Sequence, residues 1–117
     1  MEKILVVNND FDTMSLLKNL LEKRAYKVKY TSKGDEVIAM AQNFEPDLVL
    51  IDVLQKKFIA DLKTHPATSY IPVIMMTGYT WNYDKLKDVE ADDVIEKPFL
   101  LDQLQKKIQW TLKKTNR

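Results

Sequence analysis

The sequence predicts an α/β fold in which one parallel sheet is covered by helices on both faces. Three observations support this prediction. Short apolar runs alternate along the chain with amphipathic stretches of helical period. The run Leu48–Ile51 is apolar at every position, as in strands buried on both faces of a parallel sheet. The strand–helix unit recurs five times, and such units form parallel sheets through right-handed crossovers.

Five stretches have the composition of strands. Three of them are apolar runs, which predicts burial, and the last is a short strand halted by Pro98. The other alternates apolar and polar residues with its lysines outward, which is typical of a strand at the edge of a sheet. The predicted strands are Lys3–Asn8, Tyr26–Thr31 (the edge strand), Leu48–Asp52, Pro72–Thr77 and Val94–Lys97.

Helices are predicted between these strands. The first is capped by Asp10 or Asp12 and closes at Arg24. The second begins with a capping-box pattern at Ser32–Asp35 and is stopped by Pro46. The remaining predicted helices are Leu54–His65, a short one at Asp84–Val89, and a final one that carries the apolar stripe Leu101–Leu112.

The length and composition are those of a single globular domain, residues 1–117. A net charge of +1 argues against binding nucleic acid through bulk electrostatics. The lack of cysteine excludes disulfides and thiolate metal sites. No apolar run approaches the roughly 18 residues of a membrane helix. The first strand follows Met1 and Glu2 directly, which leaves no room for a signal peptide and predicts a cytoplasmic protein without membrane partners.

Polar residues end several of the predicted strands. They are Asn8 and Asn9 after the first strand, Asp52 at the third, Thr77 at the fourth and Lys97 at the fifth. In a doubly wound sheet these carboxyl ends line one crevice, where such folds place their chemistry. A carboxylate, a hydroxyl and an ammonium group are therefore expected to converge from distant parts of the sequence.

Four stretches of the chain, KILVVNND, PDLVLID, IPVIMMTG and ADDVIEKPF, resemble the receiver domain of bacterial response regulators in order and spacing. The resemblance covers essentially the whole chain. It implies a single flavodoxin-like, five-stranded parallel sheet of order 2-1-3-4-5 with five helices. It also implies that Asp52 accepts a phosphoryl group from a histidine kinase, that Thr77 and Lys97 then hold the phosphate, and that the bond between Lys97 and Pro98 is cis.

The resemblance is incomplete at the metal site. The family usually carries two acidic residues where this chain has Asn8 and Asn9, and an amide brings no charge to offset that of Mg²⁺. An ion pair between Asp52 and Lys97 balances its own charge without a metal. We therefore expect no metal or other cofactor, with Asn8, Asn9 and Asp52 as vestiges of a metal site. If a rearranged metal site works, Mg²⁺ is the expected ion. Asp10 is then a candidate ligand, although a role as helix cap is favoured for this residue.

Two further departures lie near the crevice. The loop after Asp52 is several residues shorter than the loop in the family. Val94 stands where the family often has an aromatic residue that turns inward on activation.

Structural interpretations also remain open for the site residues themselves. Asp52 can be a strand-end acid in an ion pair, Thr77 can cap the turn that follows it, and the two asparagines can tie loop backbone together.

Aromatic residues predict a surface for partners. Trp110 lies opposite the apolar stripe of the last helix, and Trp81 belongs to an aromatic-rich loop. Exposed aromatic side chains are common anchors of protein interfaces, although packing over the short helix is an alternative. In receivers the last strand and its neighbouring helices dock partners or a second copy. We assign Trp81, Val94 and Trp110 to this face.

Two functions follow from the resemblance. In the first, the chain is a stand-alone receiver-like module of two-component phosphorelay signalling. It contacts a histidine kinase, another signalling protein or a second copy, with weak or no Mg²⁺-dependent phosphorylation. The alternative is a phosphorylation-competent receiver with Asp52 as acceptor. An enzyme acting on a small molecule is disfavoured, because the sequence has no glycine-rich phosphate loop, no catalytic histidine and no third carboxylate for the crevice.

Overall fold

A computed structural model describes residues 1–78 and 90–115 of the chain. Its sheet has five parallel strands in the order β2-β1-β3-β4-β5, as predicted. Each predicted strand end lies within one residue of the observed one. The strands are β1 (Lys3–Val7), β2 (Lys27–Thr31), β3 (Leu48–Asp52), β4 (Val73–Gly78) and β5 (Asp93–Lys97).

The described residues form four α-helices: α1 (Phe11–Lys23), α2 (Val37–Phe44), α3 (Lys57–Thr64) and α4 (Leu101–Thr115). Short 3-10 turns at Gly34–Glu36 and Val53–Gln55 precede α2 and α3. The fifth predicted helix, Asp84–Val89, and the aromatic loop before it lie outside the described residues. No helix in the described ranges is both long enough and apolar enough to cross a membrane.

Helix α1 begins as the sequence predicts, with Asp10 as its N-cap. The Asp12 N–H donates to Asp10 Oδ1 at 3.1 Å, and the Thr13 hydroxyl donates to Asp10 Oδ2 at 2.6 Å. These bonds satisfy one of the backbone amides that a helix leaves free in its first turn. At the other end of α1, Arg24 forms side-chain contacts with Gln105 and Asp102 of α4.

The predicted start of α2 is wrong. The capping-box pattern places it at Ser32–Asp35, but α2 begins at Val37, and no side chain caps either the helix or the 3-10 turn before it. The competing interaction is local. The Lys33 N–H donates to Thr31 Oγ1 at 3.1 Å, so the hydroxyl at the end of β2 holds the backbone that would open the predicted helix.

The sheet divides the apolar core into two layers, because successive side chains of a strand point to opposite faces. The first layer contains strand residues such as Ile4, Leu50 and Met76, which pack with residues of α1 and α4. The second layer joins the alternate residues, such as Leu5 and Ile51, with α2 and α3. The central strands are thus buried on both faces, as their continuous apolar runs predict.

Strand β2 forms one edge of the sheet, as its alternating pattern predicts. Val28 is buried, whereas Lys27 and Lys29 are exposed on the other face. The Lys29 ammonium lies 5.3 Å from the centre of the Phe44 ring of α2. This is a cation–π distance, so the lysine stem covers the ring while its charge remains in water.

Candidate functional site

The sheet brings its polar strand ends to a single edge. Val7 pairs with Ile51 and Asp52 pairs with Met76, so Asn8, Asp52 and Thr77 lie on neighbouring strands at similar height. All three are buried, with exposed fractions of 1%, 5% and 0%. Buried polar side chains at the carboxyl ends of parallel strands mark the position where this type of fold places its chemistry.

Asp52 and Lys97 form the predicted ion pair. The Lys97 ammonium donates to Asp52 Oδ1 at 2.7 Å, and the Leu54 N–H donates to Asp52 Oδ2 at 3.0 Å. Asp52 thereby caps the 3-10 turn that follows β3, which is why α3 starts later than the predicted Leu54. Lys97 ends β5, and its bond to Pro98 is cis, as the resemblance implies. Both carboxylate oxygens of Asp52 thus have a donor.

Asn8 ties loop backbone together, as its structural interpretation predicts. Its Oδ1 accepts the Asp10 N–H at 2.8 Å. This bond fixes the orientation of the amide, because the opposite orientation would set an NH₂ group against an N–H donor. Asn8 Nδ2 is buried and has no hydrogen-bond partner among the described residues. Its neighbour Asn9 is exposed and contributes instead to a shallow groove beside Phe11 and Tyr30.

The Thr77 hydroxyl is also without a partner. The residue is completely buried, and no hydrogen bond to its Oγ1 is found within the described part of the chain. The alternative in which it caps the following turn is therefore not seen there. Strand alternation places Asn8, Asp52 and Lys97 on the face packed by α1 and α4, and Thr77 on the opposite face. Thr77 must turn to reach a group attached to Asp52.

The side chains at this edge do not fit Mg²⁺. The ion prefers several oxygen ligands, with carboxylates to offset its charge. Here Asp52 already accepts from Lys97 and Leu54, and the Asn8 oxygen faces the Asp10 N–H. The free atom of Asn8 is a nitrogen donor, which repels a cation. Within residues 1–78 and 90–115, no three acidic, histidine or cysteine side chains cluster as metal ligands.

Asp10 does not replace the missing acids. Both of its oxygens accept hydrogen bonds at the start of α1. The hydrogen bond from Thr13 is the main reason that the pKa of Asp10 lies below its ordinary value of 3.8, and the positive charge of Lys97 adds to this lowering. Asp10 is therefore a charged helix cap near Lys97, which is the more favoured of its two predicted roles.

The three residues predicted for a partner face do not all meet. Trp110 projects from α4 with 66% of its surface exposed, as predicted. Val94 is half-buried and packs against the second core layer, across the sheet from α4. Trp81 lies outside the described residues. Sequence reasoning missed the free donor of Asn8, although an Asn side-chain oxygen that accepts the N–H two residues further on is a common turn pattern and would orient the amide in this way.

Comparison with known proteins places the chain in a family. The family model described as the response regulator receiver domain matches residues 4–109. The transcriptional regulatory protein CpxR of Escherichia coli strain K12 is 37% identical over 103 residues, which cover 85% of this chain and 44% of that protein. The alkaline phosphatase synthesis transcriptional regulatory protein PhoP of Bacillus subtilis strain 168 is 34% identical over 103 residues, or 84% of this chain and 43% of that protein. The chain spans less than half the length of these two relatives.

Solved structures agree. The signal receiver domain of a signal transduction histidine kinase from Syntrophus aciditrophicus superposes with a TM-score of 0.87 at 28% identity, and the match covers 100% of this chain and 94% of that one. A response regulator from Desulfuromonas acetoxidans reaches a TM-score of 0.84 at 22% identity, over 97% of this chain and 98% of the other, which shows the shared fold.

Proposed function

Because the chain belongs to the family of response regulator receiver domains, we propose that it is a two-component signalling module that works through protein contacts and gains little from Mg²⁺-dependent phosphorylation. The ion pair between Asp52 and Lys97 at 2.7 Å carries this proposal. In this pair the acceptor carboxylate is already neutralised by a side chain of the protein.

The charge balance of the crevice supports the proposal. Two unit charges about 4 Å apart near a protein surface interact by about 4 kcal/mol at an effective dielectric constant of 20. A divalent ion entering beside Asp52 gains about twice this attraction, but from one carboxylate only, and the nearby ammonium of Lys97 opposes it. Asn8 and Asn9 supply no charge where acidic residues would supply two. The affinity for Mg²⁺ is therefore expected to fall by orders of magnitude.

The second candidate function is a receiver in which a histidine kinase phosphorylates Asp52. The observation that favours it is the retention of Asp52, Thr77 and Lys97 at one edge of the sheet, with the Thr77 hydroxyl free. Phosphoryl transfer depends on positioning and charge neutralisation, and these residues offer both. Neither candidate makes the chain an enzyme with a small-molecule substrate.

The partner of the first candidate is a protein: a histidine kinase, another signalling protein or a second copy of the chain. Trp110 supports a contact surface on α4. It borders a pocket of about 230 Å³ whose other lining residues include Asp92, Asp93 and Lys114. A large exposed aromatic side chain beside charged groups of both signs resembles the anchor of a protein interface.

Phosphorylation is tested by incubating the protein with acetyl phosphate and Mg²⁺ and measuring its intact mass. We expect no Mg²⁺-dependent phosphoryl gain in the natural sequence. The double variant Asn8→Asp/Asn9→Asp, which restores the acidic pair, is the matched comparison and is expected to gain a phosphoryl group only with Mg²⁺. A metal-dependent gain in the natural sequence that Asp52→Asn abolishes would support the second candidate instead.

The contact surface is tested by sedimentation equilibrium of the Trp110→Ala variant. We expect weaker self-association, or weaker binding to a kinase that binds the natural protein. Phe11→Ala is the control, since Phe11 is an aromatic residue of similar exposure, 63%, at the start of α1, where its ring lies against Tyr30 of the edge strand β2. If both variants associate as strongly as the natural protein does, Trp110 is not part of the interface.

A further inference from the structure

Two buried polar atoms at the ends of the strands next to Asp52 lack a hydrogen-bond partner. Asn8 Nδ2 and Thr77 Oγ1 are the buried side-chain atoms of the described residues that lack one. Such atoms are rare in folded proteins because burying an unpaired polar group is unfavourable. Both occur at the edge of the sheet where Asp52 ends, one on each neighbouring strand. Asn8 Nδ2 lies on the same face of the sheet as Asp52, whereas Thr77 Oγ1 lies on the opposite face, so the Asn8 donor is the one that strand alternation places beside the Asp52 carboxylate.

The polarity of these atoms identifies the kind of ligand. Asn8 Nδ2 is a donor with a fixed orientation, and the Thr77 hydroxyl is able to donate. The Lys97 ammonium adds further donors, and the Leu54 N–H adds one more. The only anionic acceptor among these groups is the carboxylate of Asp52. The crevice therefore has more donors than acceptors, which suits an oxyanion with several oxygens and excludes a bare cation.

We propose that this crevice holds a tetrahedral oxyanion on or beside Asp52 without a divalent cation, and that the amide of Asn8 donates to it where the family uses a metal. The inference rests on the proposed function, in which Mg²⁺ does not control the site. Lys97 supplies the positive charge, and Thr77 supplies a hydrogen bond after turning from the opposite face of the sheet. The dipole of the buried Asn8 amide, whose orientation is fixed, takes the place of the attraction that a metal would exert on the oxyanion.

The corresponding covalent step balances without a cofactor. A carboxylate oxygen of Asp52 attacks the phosphorus of acetyl phosphate. A new bond between that oxygen and phosphorus forms, the bond from phosphorus to the acetate oxygen breaks, and acetate leaves with the electron pair. No proton moves. The three free oxygens of the phosphoryl group then accept from Lys97, Thr77 and Asn8.

The first experiment uses beryllium fluoride, a mimic of a phosphoryl group, in a buffer with a chelator that removes Mg²⁺. In a ¹H–¹⁵N spectrum of the natural protein, we expect the side-chain NH₂ resonances of Asn8 to shift on addition of the mimic, whereas those of Asn9 stay in place. Unchanged Asn8 resonances at saturating mimic would contradict the proposal.

The second experiment measures the rate of phosphoryl gain from acetyl phosphate by intact mass in the same metal-free buffer. We expect a gain in the natural protein, a rate at least tenfold lower in Asn8→Leu, and an unchanged rate in Asn9→Leu. Asn8→Leu keeps the size of the side chain but removes both the unpaired donor and the oxygen that accepts the Asp10 N–H, so its folding is checked by circular dichroism. Asn8→Asp is a second variant that keeps this oxygen and loses the donor, and it should also lose the metal-free gain.

The outcomes separate this inference from the proposed function. A gain that requires Mg²⁺ in the natural protein contradicts both. No gain and no binding of the mimic with or without Mg²⁺ contradicts the oxyanion site and leaves the contact function standing. A metal-free gain that is equal in Asn8→Leu contradicts the role of Asn8.

Discussion

At the scale of single residues, the ion pair of Asp52 and Lys97 decides the character of the site. The Asp52 side chain is 7% exposed and the Lys97 side chain 34% exposed, so the carboxylate depends on the pair far more than the ammonium does. A buried charge whose partner is removed keeps its cost of burial and loses the compensating attraction. The stability of the domain is thus linked to the residue that would carry a phosphoryl group.

Replacing Lys97 with methionine tests this link. We expect the free energy of unfolding to fall by about 1–3 kcal/mol, less than for a fully buried pair because solvent reaches Lys97. In the Asp52→Asn background the same replacement should be nearly neutral, since no buried charge remains. Urea denaturation of the four proteins gives the coupling energy. Equal losses in both backgrounds would show that the pair contributes little to stability.

The carboxyl group of Asp10 offers a pH test. Its pKa in the folded protein lies below 3.8, chiefly because of the Thr13 hydroxyl. Asp10 therefore stabilises the fold above pH 3.8, and this contribution is lost as the pH falls through the lowered pKa of the folded state. In Thr13→Val, an NMR titration should show the pKa of Asp10 moving back up. Ser15→Ala on the same helix is the control, and an unchanged pKa in Thr13→Val would contradict the assignment.

At the scale of elements, the chain has only two glycines, and their surroundings differ. Gly34 begins the 3-10 turn before α2, where a Cβ atom would overlap the Phe58 ring of α3 and approach Gln55 Oε1 to 2.6 Å. Gly78 ends β4, with no described atom within 4 Å of an added Cβ. The lack of a side chain at Gly34 thus allows the turn to pack directly on α3.

Alanine replacements of the two glycines form a matched pair. Gly34→Ala should lower the free energy of unfolding by about 1–3 kcal/mol, because the extra methyl group overpacks the contact with Phe58. Gly78→Ala should change it by less than about 0.5 kcal/mol. Thermal unfolding of both variants measures the difference. A comparable loss in the two variants would indicate that backbone freedom, rather than crowding at Phe58, is responsible.

The elements also show how far the sequence is informative. The strands could be predicted closely because continuous apolar runs such as Leu48–Ile51 have few alternatives to a central parallel strand. The starts of α2 and α3 could not, because Thr31 and Asp52 bind nearby backbone amides that the helix pattern ignores. At the site, the ion pair between Asp52 and Lys97 was predictable, whereas the free donor of Asn8 depends on where the Asp10 N–H lies.

At the scale of the whole molecule, the described residues form two core layers, one on each face of the same sheet. Alternate residues of β1, β3 and β4 belong to different layers. Loss of either layer would expose one face of the same three strands. The two layers are therefore expected to unfold together, as in most single domains of this size.

One large-to-small replacement in each layer tests this cooperativity. Leu104→Ala removes a fully buried side chain of α4, and Leu62→Ala removes one of α3. Each should lower the free energy of unfolding by about 2–5 kcal/mol. Urea curves followed by far-UV and near-UV circular dichroism should coincide for each variant, with the denaturant dependence of the natural protein. Separate transitions in one variant would show that the layers unfold independently.

The lysine-bearing margin of the sheet at β2 affects how molecules meet at high concentration. Two copies aligned strand to strand would set Lys27 and Lys29 of each against those of the other, and like charges oppose such pairing. Dissolved salt screens that repulsion, and the Debye length is about 10 Å at 0.1 M. We therefore expect concentrated solutions to remain free of aggregates longest at low ionic strength. Charge, rather than shape, prevents association of molecules through the β2 edge.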